Sequence, residues 1–142
     1  DLVMVEKFVK GTEVTCAVLD VEDGKSPRAL PVIEICPVDS EFFDYHAKYT
    51  PGACNEIVPA RISAEATKKV QAVAERVHHV IGCSGFSRSD MILDGDDPVW
   101  IEINTIPGMT ETSLYPQAAA AAGVSFSQML TLFVEEALGR NS

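Results

Sequence analysis

Four residues in the second half of the chain have the types and spacing to do chemistry together. Glu102 and Asn104 stand two apart in the run Trp100-Ile101-Glu102-Ile103-Asn104, whose Trp100, Ile101 and Ile103 give it the apolar bias of a strand. In an extended chain both side chains then leave the same face, about 6.5–7 Å apart along the strand. A carboxylate and an amide carbonyl are oxygen ligands that a hard cation such as Mg²⁺ accepts, above all when phosphate oxygens complete its shell. Arg88 and Asp90 repeat the two-residue spacing within Phe86-Ser87-Arg88-Ser89-Asp90-Met91-Ile92-Leu93. Asp94-Gly95-Asp96-Asp97 between the two runs is a hairpin signal, and Pro98 starts the return strand. Counting outward from the turn sets Leu93 near Val99 or Trp100 and brings Asp90 within cross-strand reach of Glu102. Carboxylates crowded on one sheet face repel one another unless cations neutralise them. Two blander readings compete: a solvated polar sheet face, and a purely structural Arg88–Asp90 salt bridge. Apolar flanks on both strands favour a functional face over a wet one.

Directly after Asn104, Pro107-Gly108 breaks the strand, and the small and hydroxyl residues that lead to Ser113 and Leu114 offer backbone N–H groups to an anion. The pattern reads as a metal site followed by an anion site.

The elements that must position these groups are legible in outline. Leu2 to Val9 is strand-like, Gly11 breaks it, and Glu13 to Asp20 alternates as a half-buried strand with Glu13 and Thr15 on one face and Val14, Cys16 and Val18 on the other. Ala29 to Ile35 follows as a third strand, with Pro31 near its start. These three suggest an antiparallel meander. Ser63 caps a helix to about Ile81, with Ala66, Val70, Val73, Ala74, Val77 and Ile81 as its apolar stripe and Lys68, Lys69, Gln71 and Glu75 facing out. His78 and His79 are adjacent and point in different directions, which suits the helix C-terminus better than a metal. Gln117 to Ala122 is a short helix ended by Gly123, and Ser125 caps a last helix from Phe126 to Leu138 with Met129, Leu130, Phe133, Val134 and Leu138 as its stripe. Between Cys36 and Pro59 periodicity is lost, and residues 37–58 read as a lid in which Phe42 to Tyr49 gathers four aromatics beside Lys48.

Bulk properties bound the class. The 142 residues are 46% hydrophobic and 23% charged, which fits one globular unit with a real core. A net charge of −10 without clustered Lys and Arg argues against a general nucleic-acid binder. Four cysteines without CxxC spacing read as free thiols of a reducing cytoplasm, and no apolar run approaches the roughly 20 residues of a membrane span. The N-terminus, with neither an initiator Met nor a basic leader, reads as a start in mid-fold.

Four stretches in register, Glu6 to Glu13, Phe43 to Tyr49, Gly85 to Asp90 and Glu102 to Thr110, resemble the C-terminal half of D-alanine–D-alanine ligases over essentially the whole chain. The resemblance implies an α+β fold, the large lobe of an ATP-grasp domain with a mostly antiparallel sheet and flanking helices. It also implies ATP as a substrate and two Mg²⁺ or Mn²⁺ ions in the site. Glu6, Phe8 and Val9 match the strand that recognises adenine, Ile92 and Ile101 its apolar slot, and Glu13 the acid on the ribose. Asp90, Glu102 and Asn104 match the metal ligands. Lys48 and Tyr49 match the lid pair over phosphates and substrate. Arg88 and the Gly108 amide match the oxyanion stabilisers, and Ser113 with the Leu114 amide matches the grip on the second D-alanine's carboxylate. His46 departs from the acid common in the family.

The implied reaction joins two D-alanines through an acyl phosphate, for peptidoglycan precursor synthesis in the cytoplasm. The resemblance further implies a full-length enzyme that is typically a homodimer, with an N-terminal domain and a small glycine-rich lobe ahead of this region, so this chain is expected to be the metal- and second-substrate-binding part and inactive alone. Two alternatives stand beside it: another ATP-grasp carboxylate–amine ligase, such as one using D-serine, and a non-catalytic nucleotide-binding module.

Overall fold

The computed structural model describes residues 2–20, 27–37, 54–110 and 112–139. Its sheet is built around β1 (Thr12–Asp20), whose six residues from Val14 to Leu19 are all buried because both faces are covered. β2 (Arg28–Ala29) and β3 (Ile33–Pro37) pair antiparallel with one edge of β1, and β5 (Gly85–Asp94) with the other. β4 (Cys54–Ile57) extends the sheet beyond β3 and β6 (Asp97–Asn104) extends it beyond β5, giving the order β4-β3-β1-β5-β6. The mostly antiparallel α+β architecture expected from the sequence is present, with three corrections.

The first concerns Leu2 to Val9, which has no regular structure; Leu2, Val3, Met4, Val5 and Phe8 are exposed. A strand is a pairing, and an apolar run alone does not supply a partner. The second is that the return from β1 is two short strands where one was expected. Pro31 lacks the N–H needed to continue the ladder, and α1 (Ala64–Ile81) reaches across to satisfy the backbone there. Ala29 N–H donates to Glu75 Oε1 at 2.9 Å and Gln71 Nε2 donates to Leu30 O at 3.3 Å, so these two side chains do not simply face solvent. The third is β4, a strand inside what reads as an unstructured loop.

Helices cover the two faces of the sheet unequally. α1 starts at Ser63, whose hydroxyl accepts from Ala66 N at 2.9 Å, and stops at Gly82, whose φ of 77° is the left-handed conformation that glycine takes freely. Its buried line runs Ala66, Val70, Ala74 and His78, packed on Val14, Cys16, Val18, Met91 and Leu93. The expected stripe thus ends on His78, and Ile81 is exposed. His78 is a core residue whose ring nitrogens meet Ser87 Oγ at 2.7 Å and Asp20 Oδ2 at 3.3 Å. His78 and Ser87 are fully buried and Asp20 is partly exposed, so the trio ties the helix to the sheet; burial in the adjoining apolar cluster pushes the Cys16 thiol up to about 12.

On the other face, α2 (Leu114–Ala121) and α3 (Phe126–Gly139) pack over Ala17, Leu19, Leu30 and Ile33 through Tyr115, Ala118, Ala119 and Met129. Phe86 stacks on Phe133 at 4.2 Å between centroids and meets Tyr115 edge-on at 5.9 Å, contacts worth about 0.5–1.5 kcal/mol each beyond their buried area. The Tyr115 hydroxyl donates to Val18 O at 2.9 Å. Leu130, Val134 and Leu138, expected in the stripe of α3, are exposed, since its buried side is the line through Met129 and Phe133.

Below α1, the Arg61 guanidinium grips Glu34 with Nε at 3.0 Å and a terminal nitrogen at 2.8 Å, while the Arg61 N–H adds a third bond at 3.0 Å. These bonds hold the Glu34 carboxyl down to about 2, from an ordinary value of 4.5. A depressed folded-state pKa contributes stability that is complete above the unfolded value and fades as pH falls from about 4.5 towards 2. Melting temperature measured against pH is therefore expected to fall across that window, and the fall should be shallower in Glu34→Gln, which starts less stable near neutrality.

Candidate functional site

The antiparallel register arranges one sheet face in rows that cross three strands. Ala17, Arg88 and Asn104 form one row, Thr15, Asp90 and Glu102 the next, and Glu13, Ile92 and Val99 the third. The Leu19–Phe86 pair lies one row further on, beneath the aromatic cluster of α2 and α3. Among the described residues those helices cover the apolar end of the face, while at its polar end Thr15 is buried, Arg88 and Asp90 are largely buried and Glu102 is exposed.

The expected hairpin forms with Gly95 and Asp96 as its two-residue loop, and Gly95 takes φ 64° at the first loop position, where a type II′ turn needs it. Leu93 pairs with Pro98 and Ile92 with Val99, one residue away from the sequence-based count. A β-bulge between Asp90 and Met91 then takes up Ile101 as an extra residue, so that Asp90 pairs with Glu102 after all. The bulge aligns the carboxylates, since unbroken pairing would have set Asp90 opposite Ile101.

Asp90 is held by Arg88 and Thr15 and lies close to Asn104. Arg88 donates to it through both arms of its fork, Nε to Oδ1 at 3.0 Å and a terminal nitrogen to Oδ2 at 2.9 Å, with both side chains largely buried. Thr15 Oγ1 donates to Asp90 Oδ1 at 2.6 Å, the short distance of a charge-assisted bond. Asn104 Nδ2 lies 3.5 Å from Asp90 Oδ2. The Arg88–Asp90 salt bridge that stood as a competing reading therefore exists, and it lies beside Glu102 and Asn104 on the same face. Glu102 is exposed and Asn104 half-buried.

Two carboxylates and an amide fit a hard divalent cation chemically, and their shortfall is informative. Among the described residues no group of three or more His, Cys, Asp or Glu side chains comes together to hold a metal. A cation on this face would take a minority of its oxygens from the chain and need the rest from a ligand or water, as Mg²⁺ does with phosphates.

The loop after β6 turns into the N-terminus of α2. Pro107 is buried, Gly108 is exposed, and Ser113 is the N-cap at φ −78° and ψ 143°. The Ser113 hydroxyl accepts from Thr110 N at 3.0 Å and lies 2.8 Å from Thr110 Oγ1, so it closes the turn that precedes the helix. Leu114 opens α2, and a helix N-terminus is where backbone N–H groups and the helix dipole favour an anion. A Cβ added at Gly108 would stand 2.8 Å from Ser113 Oγ.

Of the other residues singled out from sequence, Glu13 and Ile92 are direct cross-strand neighbours in the third row, and Ile101 is the half-exposed bulge residue. Glu6, Phe8 and Val9 lie in the irregular segment before Gly11 and not in the strand expected of them. Lys48, Tyr49, His46 and most of the expected lid lie outside the described residues. Sequence reasoning missed Thr15 as a partner of Asp90, and missed Gln117, whose amide bonds Glu56 on β4 and Thr112 O in the anion loop. Alternation in β1 had placed Thr15 beside Glu13, but only the register shows that it meets Asp90.

The sequence family described as D-ala D-ala ligase C-terminus matches residues 1–135. A D-alanine–D-alanine ligase from Syntrophobacter fumaroxidans is 53% identical over 95% of this chain and 43% of its own length. One from Halalkalibacterium halodurans is 49% identical over 97% of this chain and 45% of its own. Among solved structures, the Bacillus anthracis D-alanine–D-alanine ligase complexed with ATP superposes with a TM-score of 0.75 at 37% identity, over 94% of this chain and 41% of that one. A D-Ala:D-Ser ligase from Enterococcus faecalis gives a TM-score of 0.71 at 42% identity, over 90% of this chain and 36% of that one. The chain spans less than half the length of the curated relatives it matches.

Proposed function

This chain belongs to the D-ala D-ala ligase C-terminus family, and from that premise we propose that it is the large lobe of an ATP-grasp domain in a longer enzyme that ligates two D-alanines to D-alanyl-D-alanine. The observation that carries the reading is the pair of adjacent rows, Thr15–Asp90–Glu102 and Ala17–Arg88–Asn104, which bring two carboxylates, an amide and a guanidinium together on one sheet face. Two neighbouring rows are about 6.6 Å apart along a strand. The face thus offers a linear order, with Glu13 and Ile92 for the nucleoside, Asp90, Glu102 and Asn104 for phosphate-bound cations, and Arg88 for the reacting carbonyl.

In the proposed reaction the first D-alanine's carboxylate attacks the γ-phosphorus of ATP and ADP departs, leaving an acyl phosphate. The second D-alanine's amine then attacks the acyl carbon and phosphate departs. Bound Mg²⁺ or Mn²⁺ would supply charge neutralisation on the transferring phosphoryl group, held by Asp90, Glu102 and Asn104. Arg88 and the Gly108 N–H would stabilise the oxyanion of the tetrahedral intermediate. Ser113 and the Leu114 N–H would hold the second substrate's carboxylate at the α2 N-terminus, which orients its amine. Glu6, Phe8 and Val9 with Ile92 and Ile101 would receive adenine, and Glu13 the ribose. Lys48 and Tyr49, in a lid over 37–58, would exclude water from an acyl phosphate that water destroys.

The remaining segments of the same enzyme, and a second subunit in a homodimer, are the partners of this proposal. Among the described residues no single helix is long and apolar enough to cross a membrane. Free Cys16, Cys36 and Cys83 suit a reducing cytoplasm as the place where peptidoglycan precursors would be made.

ATP-dependent phosphate release with D-alanine tests the proposal, for this chain alone and joined to the regions its relatives possess. Activity in the extended form only is expected; activity of the short chain alone would overturn the lobe assignment. D-Serine as acceptor is the second reading, favoured by the 42% identity to a D-Ala:D-Ser ligase, and product analysis with both amino acids separates the two. In the extended enzyme, Gly108→Ala is expected to displace the Ser113 hydroxyl and raise KM for the second amino acid by roughly tenfold, about the worth of one charge-assisted hydrogen bond. KM for ATP should stay close to that of the wild type in the same initial-rate experiment.

A further inference from the structure

Asp90 is assigned to a cation by the proposed function, yet both of its oxygens are already engaged within the chain. Arg88 spans Oδ1 and Oδ2, and Thr15 Oγ1 holds Oδ1 at 2.6 Å. A carboxylate that accepts a guanidinium fork across both oxygens presents the same edge that a dication would use. Arg88 and the cation therefore compete for Asp90, and both are positive. Thr15 is placed differently. It comes from the neighbouring strand, it is neutral, and its backbone is fixed directly opposite Asp90 by the β1–β5 ladder. Its side chain is enclosed, 1% exposed, and its β-branch restricts χ1. Its hydroxyl proton has two acceptors within reach, Ser89 O at 3.2 Å and Asp90 Oδ1 at 2.6 Å, and the shorter contact is to the ionised one.

We propose that Thr15 is a positioning residue that holds Asp90 in one orientation while the carboxylate changes partner from the Arg88 guanidinium to a divalent cation, so that loading the cation releases Arg88 towards the reacting carbonyl. The proposal rests on the ligase reading and deepens it, by coupling the metal site to the oxyanion group through one hydroxyl on a strand that carries neither. In the cation-free state Arg88 neutralises Asp90 and keeps like charges from crowding this face. In the loaded state the cation takes over that neutralisation, and Thr15 supplies the geometry common to both.

Mn²⁺ titration followed by electron paramagnetic resonance, in the full-length enzyme with a non-hydrolysable ATP analogue, reads this directly without turnover. Thr15→Val removes the hydroxyl and keeps the branched shape; it is expected to weaken Mn²⁺ binding by about 10- to 100-fold, the usual loss when an outer-shell partner of a metal ligand is removed. Thr15→Ser, which restores the hydroxyl, should bind Mn²⁺ within about threefold of the wild type, a rescue that a role in packing alone would not give. Arg88→Gln removes the competitor and should tighten Mn²⁺ binding while turnover is lost. If Thr15→Val loses its cooperative melting transition, Thr15→Ala takes its place with the same expected loss. Wild-type affinity in a folded Thr15→Val or Thr15→Ala, a Thr15→Ser as weak as either, or weaker binding in Arg88→Gln overturns the proposal and leaves the ligase reading standing. A wild-type enzyme that takes up no Mn²⁺ with the analogue overturns both.

Discussion

Glu102→Gln in the full-length enzyme is expected to lower the rate of ATP-dependent phosphate release by more than 100-fold, at unchanged melting temperature. Loss of an outer-shell partner costs about 10- to 100-fold in metal affinity or activity, and a direct ligand should cost more. The substitution keeps the side chain's shape and removes its charge. Glu102 is exposed on an edge strand, where exchanges away from packed features usually change stability by no more than about 0.5 kcal/mol. Its position opposite Asp90 is what sets it apart from other acids of the same hairpin. Asp97 on β6 is also exposed and bridges Lys69 at 2.7 Å, a surface pair of the kind worth little. Asp97→Asn is therefore the matched control, expected to retain near-normal activity. If Glu102→Gln behaves like that control across a range of Mg²⁺ concentrations, the cation does not sit on this face.

The grouping of residues on this face was legible in the sequence because it obeys a period of two. Arg88 with Asp90, and Glu102 with Asn104, announce a shared side on each strand, and Asp94-Gly95 announces that the strands return. What could not be read was the bulge at Ile101, since a one-residue slip leaves every local signal unchanged while exchanging the faces of the strand. Thr15 was hidden for a related reason: its own strand was evident, but which strand lies beside it is a fact of topology. β1 pairs with β5 across some seventy intervening residues, as the Thr15–Asp90 bond at a separation of 75 shows. The ends of α1 fared better, because Ser63 and Gly82 act on their immediate neighbours, whereas α2, expected from Gln117, begins at Leu114. Stripes were over-read where burial depends on the partner surface. In α3 the line through Met129 and Phe133 finds the aromatic pocket made by Phe86 and Tyr115, while Leu130, Val134 and Leu138 are left outside it. The apolar run Leu2 to Val9 makes the same point for a strand, having composition without a ladder.

Gly11→Ala is expected to be the most damaging single methyl group in the described part of the chain, destabilising it by roughly 3 kcal/mol or more, the upper end of overpacking costs. A Cβ at this position would stand 1.9 Å from Leu93 O and 2.7 Å from Leu93 C, with the Ile92 Cγ2 methyl at 2.9 Å. A rotamer change relieves a clash with a flexible tip, but here two of the three atoms are backbone of the paired strand. Gly11 does not have a positive φ, so the requirement is for space and not for a special torsion. Relief would have to come from parting β1 and β5 where Thr12 pairs with Leu93 and Glu13 with Ile92. That junction begins the rows on which the proposed site depends, and parting it moves Glu13 and Thr15 away from Ile92 and Asp90. The loss should thus be twofold: a melting temperature lower by roughly 10 °C, and weaker binding of both nucleotide and Mn²⁺ at temperatures where the protein remains folded. The equivalent addition at Gly95 meets no atom within 4 Å. Gly95→Ala should accordingly suffer only from its φ of 64°, about 1–2 kcal/mol, and leave binding intact. Melting curves and Mn²⁺ titrations of the two variants side by side separate steric exclusion at the site's foundation from torsional strain in its hairpin.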